Sequence, residues 1–202
     1  MKLLGSVTSP YVRKVRLVLL EKSIPHEYVI DPPQEPGSQV LLVNPLGRIP
    51  ALILDNGFCV FDSTVIADYV DTLSDSQILI PRHDATARLR VKRWEALADG
   101  IIDSAVVVRN ERLRPPEQQS SATLDLHNTA ISKGLAYAAQ LLGDLIWCDG
   151  DAITLADLAL VSALLYLDLR QAERDWRGSH ANLALWFERI CARRSVIITR
   201  ET

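Results

Sequence analysis

A change of residue pattern near Pro81 divides this chain into two parts and limits the folds that it can adopt. Short strand-like and helix-like segments alternate before it, whereas only long helical periodicities follow, from Asp84 to about Arg193. Alternating strands and helices are typical of a mixed sheet flanked by helices. A chain of 202 residues is long enough for two cores. We therefore predict an α/β domain at 1–76 and an all-α domain at 85–202.

The predicted α/β domain has the element order β-α-β-α-β-β-α. Its strands are predicted at 2–5, 26–31, 51–54 and 59–61, and its helices at 11–22, 38–43 and 63–73. Asn56-Gly57 indicates a two-residue hairpin, so the last two strands should be antiparallel. Four long helices are predicted in the second domain, at 85–112, 122–142, 155–169 and 181–193.

Composition and charge argue against several kinds of partner. A formal net charge of −3 disfavours a nucleic-acid surface. No stretch reaches the ~18 apolar residues of a membrane span, so no membrane partner is expected. Cys59, Cys148 and Cys191 are too scattered for a disulfide framework or a metal site, and the four histidines share no ligand spacing. We expect no metal, and a reducing, cytoplasmic location.

The segment TSPYVRKVRLVLLEK, Thr8–Lys22, passes from a strand to a helix through a hydroxyl-rich turn. Pro10 fits the first helical position, and Ser9 before it can cap the helix. The N–H groups and the positive dipole end at this point favour an anion such as a thiolate. Ser9 is therefore either a plain cap or the hydroxyl donor to a bound thiolate. Thr8 is the rival donor, and Ser6 is a weaker one.

Three further stretches carry recognisable patterns: NPLGRIPAL, FDSTVIADYV and DAITLADLAL. In the first, Pro50 directly precedes a predicted strand. In the second, Asp62 and Ser63 precede a helix that Ser63 can cap. In the third, Thr154 and Asp157 form a variant of the capping box, which indicates the start of a core helix.

Together and in this order, the four stretches resemble the cytosolic glutathione S-transferase superfamily, near the bacterial beta, theta and zeta classes. The two-domain layout of that family spans essentially the whole chain. The resemblance implies a thioredoxin-like first domain that binds glutathione. It implies that the helical domain forms much of the pocket for a second substrate. It further implies glutathione as co-substrate, a small electrophile as its partner, and a homodimer.

The resemblance assigns roles to particular residues of the first domain. Ser9, or Thr8 in a shifted register, would donate a hydrogen bond to the glutathione sulfur and activate it as a nucleophile. Pro50 would follow a cis peptide bond, with an ordinary trans proline at the start of an edge strand as its alternative. The backbone of Ile49 would pair with the cysteinyl backbone of glutathione, as an added strand does. Arg48 would lie near the glycyl carboxylate, with a solvated surface charge as its alternative.

The remaining assignments concern the γ-glutamyl end and the second substrate. Asp62 would accept a hydrogen bond from the γ-glutamyl ammonium. Ser63 and the helix start would bind the γ-glutamyl carboxylate. Tyr11 is expected to line the second-substrate pocket, and Arg109 could meet an acidic second substrate.

The main alternative is a non-catalytic interaction or regulatory protein on the same scaffold, like the bacterial stringent-starvation proteins. That function predicts broken glutathione motifs, whereas RIP and DS are intact here. A deglutathionylating reductase needs a cysteine where this chain has Ser9, and SPYV lacks both cysteines of the glutaredoxin motif. A zeta-type isomerase needs a cysteine before the helix, which SVTSPYVRK does not contain. The sequence therefore favours a glutathione transferase-like enzyme with an unspecified electrophile.

Overall fold

The structure is a computed structural model that describes residues 1–201. It divides into two compact units. Unit 1 comprises residues 1–82 together with the C-terminal segment from Arg193, and unit 2 comprises His83–Ala192. The predicted order, an α/β domain followed by helices alone, is confirmed for the described residues. The C-terminal segment, which we predicted within the helical domain, is an exception because its helix packs on unit 1.

Unit 1 is built on a four-stranded sheet with the strand order β2-β1-β3-β4. β1 and β2 are parallel, and β3 is antiparallel to β1 and β4. Its elements are β1 (Lys2–Gly5), α1 (Pro10–Glu21), β2 (Glu27–Ile30), α2 (Val40–Val43), β3 (Ala51–Ile53), β4 (Cys59–Val60), α3 (Ser63–Thr72) and, after unit 2, α9 (Arg194–Glu201). Every predicted element of this domain is present, and α9 was not predicted.

The register of the sheet brings three segments of the chain to one edge. Leu4 of β1 pairs with Ala51 of β3, and Leu52 of β3 pairs with Val60 of β4. Since β3 is antiparallel to both neighbours, the end of β1, the start of β3 and the end of β4 coincide. The turn before α1, the loop before β3 and the start of α3 therefore lie at the same edge.

The turn between β3 and β4 is longer than predicted. The Gly57 N–H donates to the Leu54 carbonyl at 2.9 Å, and the Leu54 N–H donates to the Phe58 carbonyl at 2.9 Å. Gly57 has φ of 84°, a left-handed conformation that glycine adopts readily. The loop thus has three residues, 55–57, so the predicted two-residue loop is wrong. The predicted antiparallel pairing is confirmed.

A buried lysine joins the C-terminal end of α1 to α3 and the segment after it. Lys22 Nζ donates to the Asp71 carboxylate at 3.1 Å and to the Asp71 carbonyl at 2.8 Å. It also donates to the carbonyls of Ser74 at 2.5 Å and Gln77 at 2.6 Å. The side chains of Lys22 and Asp71 are only 0% and 3% exposed. Within unit 1, this cluster holds the segment that follows α3 against the end of α1.

α9 is attached to the same end of α1 by a buried carboxylate. Arg193 donates to both oxygens of Glu21, at 2.9 and 2.6 Å, and the Ser195 hydroxyl donates at 2.5 Å. Burial by itself would raise the pKa of Glu21, but the hydrogen bonds from Arg193 and Ser195 outweigh it and lower that pKa. The contact joins residues 172 positions apart, which explains why α9 belongs to unit 1.

Among its described residues, unit 2 contains helices joined by loops and no β-strand. Its helices are α4 (Ala85–Arg112), α5 (Ser121–Leu142), α6 (Leu155–Arg170), α7 (Trp176–Ser179) and α8 (Ala181–Cys191), with a short 3-10 turn at Pro116–Gln118. α6 is buried from Leu155 to Leu167 and packs against α4 and α8. Within residues 1–201, no helix has both the length and the apolar character needed to cross a bilayer.

The predicted capping box at the start of α6 is confirmed. The Asp157 carboxylate accepts hydrogen bonds from the N–H groups of Thr154, at 2.9 Å, and Cys148, at 2.8 Å. Asp157 is 0% exposed, and burial raises its pKa despite these bonds. This carboxylate therefore ties the preceding loop to the central helix of unit 2.

Candidate functional site

Ser9 lies at the sheet edge described above, at the start of α1. It is the N-cap residue, with φ −75° and ψ 122°, and its Oγ accepts a hydrogen bond from the Val12 N–H at 3.3 Å. The predicted cap is confirmed, with Pro10 as the first helical residue. An accepting hydroxyl keeps its own hydrogen, so Ser9 can cap the helix and donate to a second group at once. Thr8, one residue outside the cap, is more exposed.

A close approach between Gly5 and α1 fixes the start of that helix against the sheet. A Cβ placed on Gly5 would lie 2.6 Å from a methyl carbon of Val12, closer than two carbons can pack. The Ser9 N–H also donates to the Ser6 carbonyl at 3.2 Å, which closes the turn between strand and helix. Sequence reasoning assigned no role to Gly5; its place directly before a hydroxyl-rich turn is the signal that could have identified it.

The loop before β3 ends in the predicted cis peptide bond, Ile49–Pro50, which is confirmed. The side chain of Ile49 packs against a buried cluster of Leu4, Val40 and Ala51. Arg48 is exposed at the same loop. The structure thus presents a backbone segment and a cation beside the start of α1, at neighbouring strand ends.

Asn44, which sequence reasoning passed over, holds this loop together. Its Nδ2 donates to the Arg48 carbonyl at 2.7 Å, and its Oδ1 accepts from the Leu46 N–H at 3.0 Å. Its own carbonyl accepts from the Gly47 N–H at 2.9 Å. The side chain is almost fully buried. An Asn-Pro pair favours turn initiation, and that is the signal that could have pointed to it.

Asp62 caps α3, which corrects the prediction that Ser63 would do so. The Asp62 carboxylate accepts from the N–H groups of Thr64 at 3.0 Å and Val65 at 3.4 Å. Ser63 is the first helical residue and is only 4% exposed. The peptide bond between Phe61 and Asp62 is cis. A ligand at this helix start would meet the Asp62 carboxylate as well as the helix dipole.

The two residues predicted for the second substrate lie in different units. Tyr11 is the second residue of α1 and is half-buried. Arg109 lies near the end of α4, and its guanidinium donates to Asn110 Oδ1 at 3.0 Å. Their shared role therefore stays a prediction. Over residues 1–201, no group of three or more His, Cys, Asp or Glu side chains is arranged to hold a metal ion.

A cavity of about 530 Å³ lies at the other end of α1. Its lining includes Glu21, His26 and Arg193, and none of the residues predicted to bind glutathione. α1 has 12 residues, so a helix length of about 18 Å separates this cavity from Ser9. The cavity is thus distinct from the edge where Ser9, Ile49 and Asp62 are brought together.

Two domain descriptions of one family match the chain. The glutathione S-transferase N-terminal domain matches residues 8–73, and the C-terminal domain of the same family matches residues 121–189. The first match contains every residue predicted to contact glutathione. The two matches also follow the order of the two units seen in the structure.

Individual proteins are similar to the chain over nearly its full length. The uncharacterized GST-like protein YibF of Escherichia coli is 38% identical over 199 residues, which cover 96% of each chain. A glutathione S-transferase from Methylobacillus flagellatus, solved with glutathione bound, is 41% identical with a TM-score of 0.95, over 98% of both chains. A second, from Methylobacterium radiotolerans in complex with glutathione sulfonate, is 37% identical with a TM-score of 0.94, over 98% of this chain and 93% of that one.

These similarities agree with the fold found independently, a thioredoxin-like unit followed by a helical unit. They also account for the four sequence stretches that resemble the family. The chain belongs to the glutathione S-transferase family.

Proposed function

We propose that this protein binds glutathione and activates its thiol, through the Ser9 hydroxyl, for attack on a small electrophile. The observation that carries the proposal is the juxtaposition at one sheet edge of the start of α1, the loop before β3 and the start of α3. Support also comes from similar proteins solved with glutathione or glutathione sulfonate. The expected homodimer is part of the same proposal, and sedimentation of the purified protein tests it.

Thiol activation follows from the surroundings of Ser9. A free thiol has a pKa of about 8.5, so only a few per cent is ionised at neutral pH. The 12-residue α1 has no acidic side chain in its first turn, so nothing there offsets the positive end of its dipole. A hydroxyl donates a stronger hydrogen bond to the thiolate than to the neutral thiol, which also lowers the thiol pKa. Each unit by which the thiol pKa falls requires about 1.4 kcal/mol of preference for the anion.

Binding of the tripeptide would use the other two segments. The Ile49 backbone pairs with the cysteinyl residue, and Arg48 lies near the glycyl carboxylate. Asp62 accepts from the γ-glutamyl ammonium, while Ser63 and the start of α3 bind the γ-glutamyl carboxylate. Glutathione carries one ammonium and two carboxylates, and this edge offers both a carboxylate and a cation to pair with them.

The test replaces the hydroxyl and compares binding with turnover. Ser9→Ala should lower turnover with a chloronitroarene about 10- to 100-fold, since one to two units of thiol activation are lost. Glutathione affinity, measured by calorimetry, should change little. Ser9→Thr keeps a hydroxyl and should retain most activity. Thr8→Ala should leave turnover within about twofold, because a residue outside the cap contributes no bond to the sulfur.

A second control separates catalysis from helix capping. Ser120 caps α5 in the same way, accepting from the Thr123 N–H at 3.2 Å. Ser120→Ala and Ser9→Ala should both cost about 1 kcal/mol of stability, but only Ser9→Ala should lower turnover. A larger loss with Thr8→Ala than with Ser9→Ala would show that Thr8 is the donor. Failure of the wild-type protein to bind millimolar glutathione would overturn the proposed function and favour the non-catalytic alternative.

A further inference from the structure

We propose that Asn44 is a positioning residue for glutathione. Its buried side-chain amide sets the direction of the Ile49 N–H, which pairs with the tripeptide. The inference rests on the proposed function, because it concerns the same site. Asn44 acts through the loop and not by touching the ligand, since only 2% of it is exposed.

Asn44 forms hydrogen bonds with three of the four residues that follow it. Its amide nitrogen donates to the Arg48 carbonyl at 2.7 Å, and its amide oxygen accepts from the Leu46 N–H at 3.0 Å. Its backbone carbonyl accepts from the Gly47 N–H at 2.9 Å. The bond to Arg48 differs from the others because it reaches the peptide group directly before the cis bond.

That bond sets the direction of the next N–H. The cis peptide bonds of residues 1–201 are Ile49–Pro50 and Phe61–Asp62, so the peptide between Arg48 and Ile49 is trans. In a planar trans peptide the carbonyl and the N–H point in opposite directions. With the Arg48 carbonyl bound to Asn44, the Ile49 N–H points away from Asn44. The packing of Ile49 against the buried cluster of Leu4, Val40 and Ala51 fixes the position of the residue itself.

Only an amide side chain satisfies both contacts at this position. The Leu46 N–H needs an acceptor, and the Arg48 carbonyl needs a donor. Asp in place of Asn44 keeps the acceptor but sets a carboxylate oxygen against the Arg48 carbonyl oxygen. The repulsion rotates the peptide between Arg48 and Ile49, while the turn at Leu46 remains. Asn44→Asp therefore changes the direction of the Ile49 N–H while it leaves the turn at Leu46 intact.

The matched control is Asn56, in the turn between β3 and β4. Its Oδ1 accepts from the Phe58 N–H at 3.0 Å, the same two-residue step that Asn44 makes to Leu46. It lies at the opposite end of β3 from the proposed site. Asn56→Asp thus adds the same charge to a turn of the same kind without touching the loop before Pro50. Because Asn56 is exposed and Asn44 is buried, Asn44→Ala, which adds no charge, is the control for burial.

The experiment measures the dissociation constant for glutathione by calorimetry and turnover at saturating glutathione. Asn44→Asp should raise the dissociation constant about tenfold, the loss of one well-made hydrogen bond. Turnover at saturation should stay within about threefold, because Ser9 is untouched. Asn56→Asp should change neither, and Asn44→Ala should weaken binding as Asn44→Asp does.

The outcomes distinguish this inference from the function on which it rests. Wild-type protein that does not bind glutathione overturns both. Wild-type binding with an unchanged dissociation constant in Asn44→Asp overturns the positioning role alone, even if its melting temperature falls. Should the Asn44 variants fail to fold, the amide resonance of Ile49 in the wild type decides. Glutathione must shift it and slow its hydrogen exchange, and an unaffected Ile49 amide overturns the inference.

Discussion

Replacing Lys22 with methionine tests the buried cluster that joins α1 to α3. Methionine fills a similar volume but removes the three N–H donors of the ammonium group. The Asp71 carboxylate then keeps its hydrogen bond from the Leu79 N–H, at 2.9 Å, and its ion pair with Arg82, whose Nε lies 3.8 Å away. The carbonyls of Ser74 and Gln77 lose the donor described above.

The magnitude follows from the burial of the pair. Removing one partner of a buried ion pair costs about 3–5 kcal/mol when nothing compensates the other charge. Because Arg82 still faces Asp71 at 3.8 Å, we expect the lower end of that range, about 3 kcal/mol. Lys22 and Asp71 are 0% and 3% exposed, so water cannot readily replace the lost bonds. The exposed pair of Lys2 and Glu27, at 3.9 Å with 36% and 64% exposure, is the matched control. Lys2→Met should cost about 1 kcal/mol or less.

The assay is urea unfolding followed by far-ultraviolet circular dichroism, with hydrogen exchange of β1 to localise the effect. Tryptophan fluorescence alone would mislead, because the tryptophans all lie in unit 2, at Trp94, Trp147, Trp176 and Trp186. The double variant Lys22→Met/Asp71→Leu should recover part of the loss, because it removes both buried charges. A cost for Lys22→Met no greater than that for Lys2→Met would show that the buried cluster does not stabilise unit 1 as argued.

Two further predictions concern buried carboxylates. Because the folded-state pKa of Glu21 is lowered, its stabilisation is present above its ordinary pKa of about 4.3 and is lost as pH falls through the lowered value. Arg193→Met removes the principal donor, so the free energy of unfolding should depend less steeply on pH below about 5 in that variant, as acid titrations of unfolding will show. Asp157→Ala removes the capping-box carboxylate of α6, which leaves the N–H groups of Thr154 and the buried Cys148 without their acceptor. The free energy of unfolding, measured in urea with fluorescence detection, should fall by about 2–4 kcal/mol, whereas a fall under about 1 kcal/mol would contradict the prediction.

Local patterns in the sequence were enough to predict most elements. α4 was predicted at its observed bounds, Ala85–Arg112, because helical periodicity depends on residues only a few positions apart. The cis bond at Pro50 was also anticipated, although from family resemblance and not from local physics. The cap of α3 was predicted wrongly as Ser63, whereas Asp62 caps the helix. Both residue types can cap, and only the backbone conformation shows which residue stands outside the helix.

The order of strands and helices, the change to an all-helical second part, and the residue types available for thiol activation follow from the sequence. These depend on periodicity, capping and turn chemistry, which act over a few residues. The return of α9 to unit 1, and the hydrogen bonds by which Asn44 holds the loop before Pro50, become visible in the folded chain and not before. The tertiary structure also decided which strand ends share an edge. Such outcomes depend on strand register and on buried partners far apart in the chain, such as Glu21 and Arg193, and no local pattern encodes them.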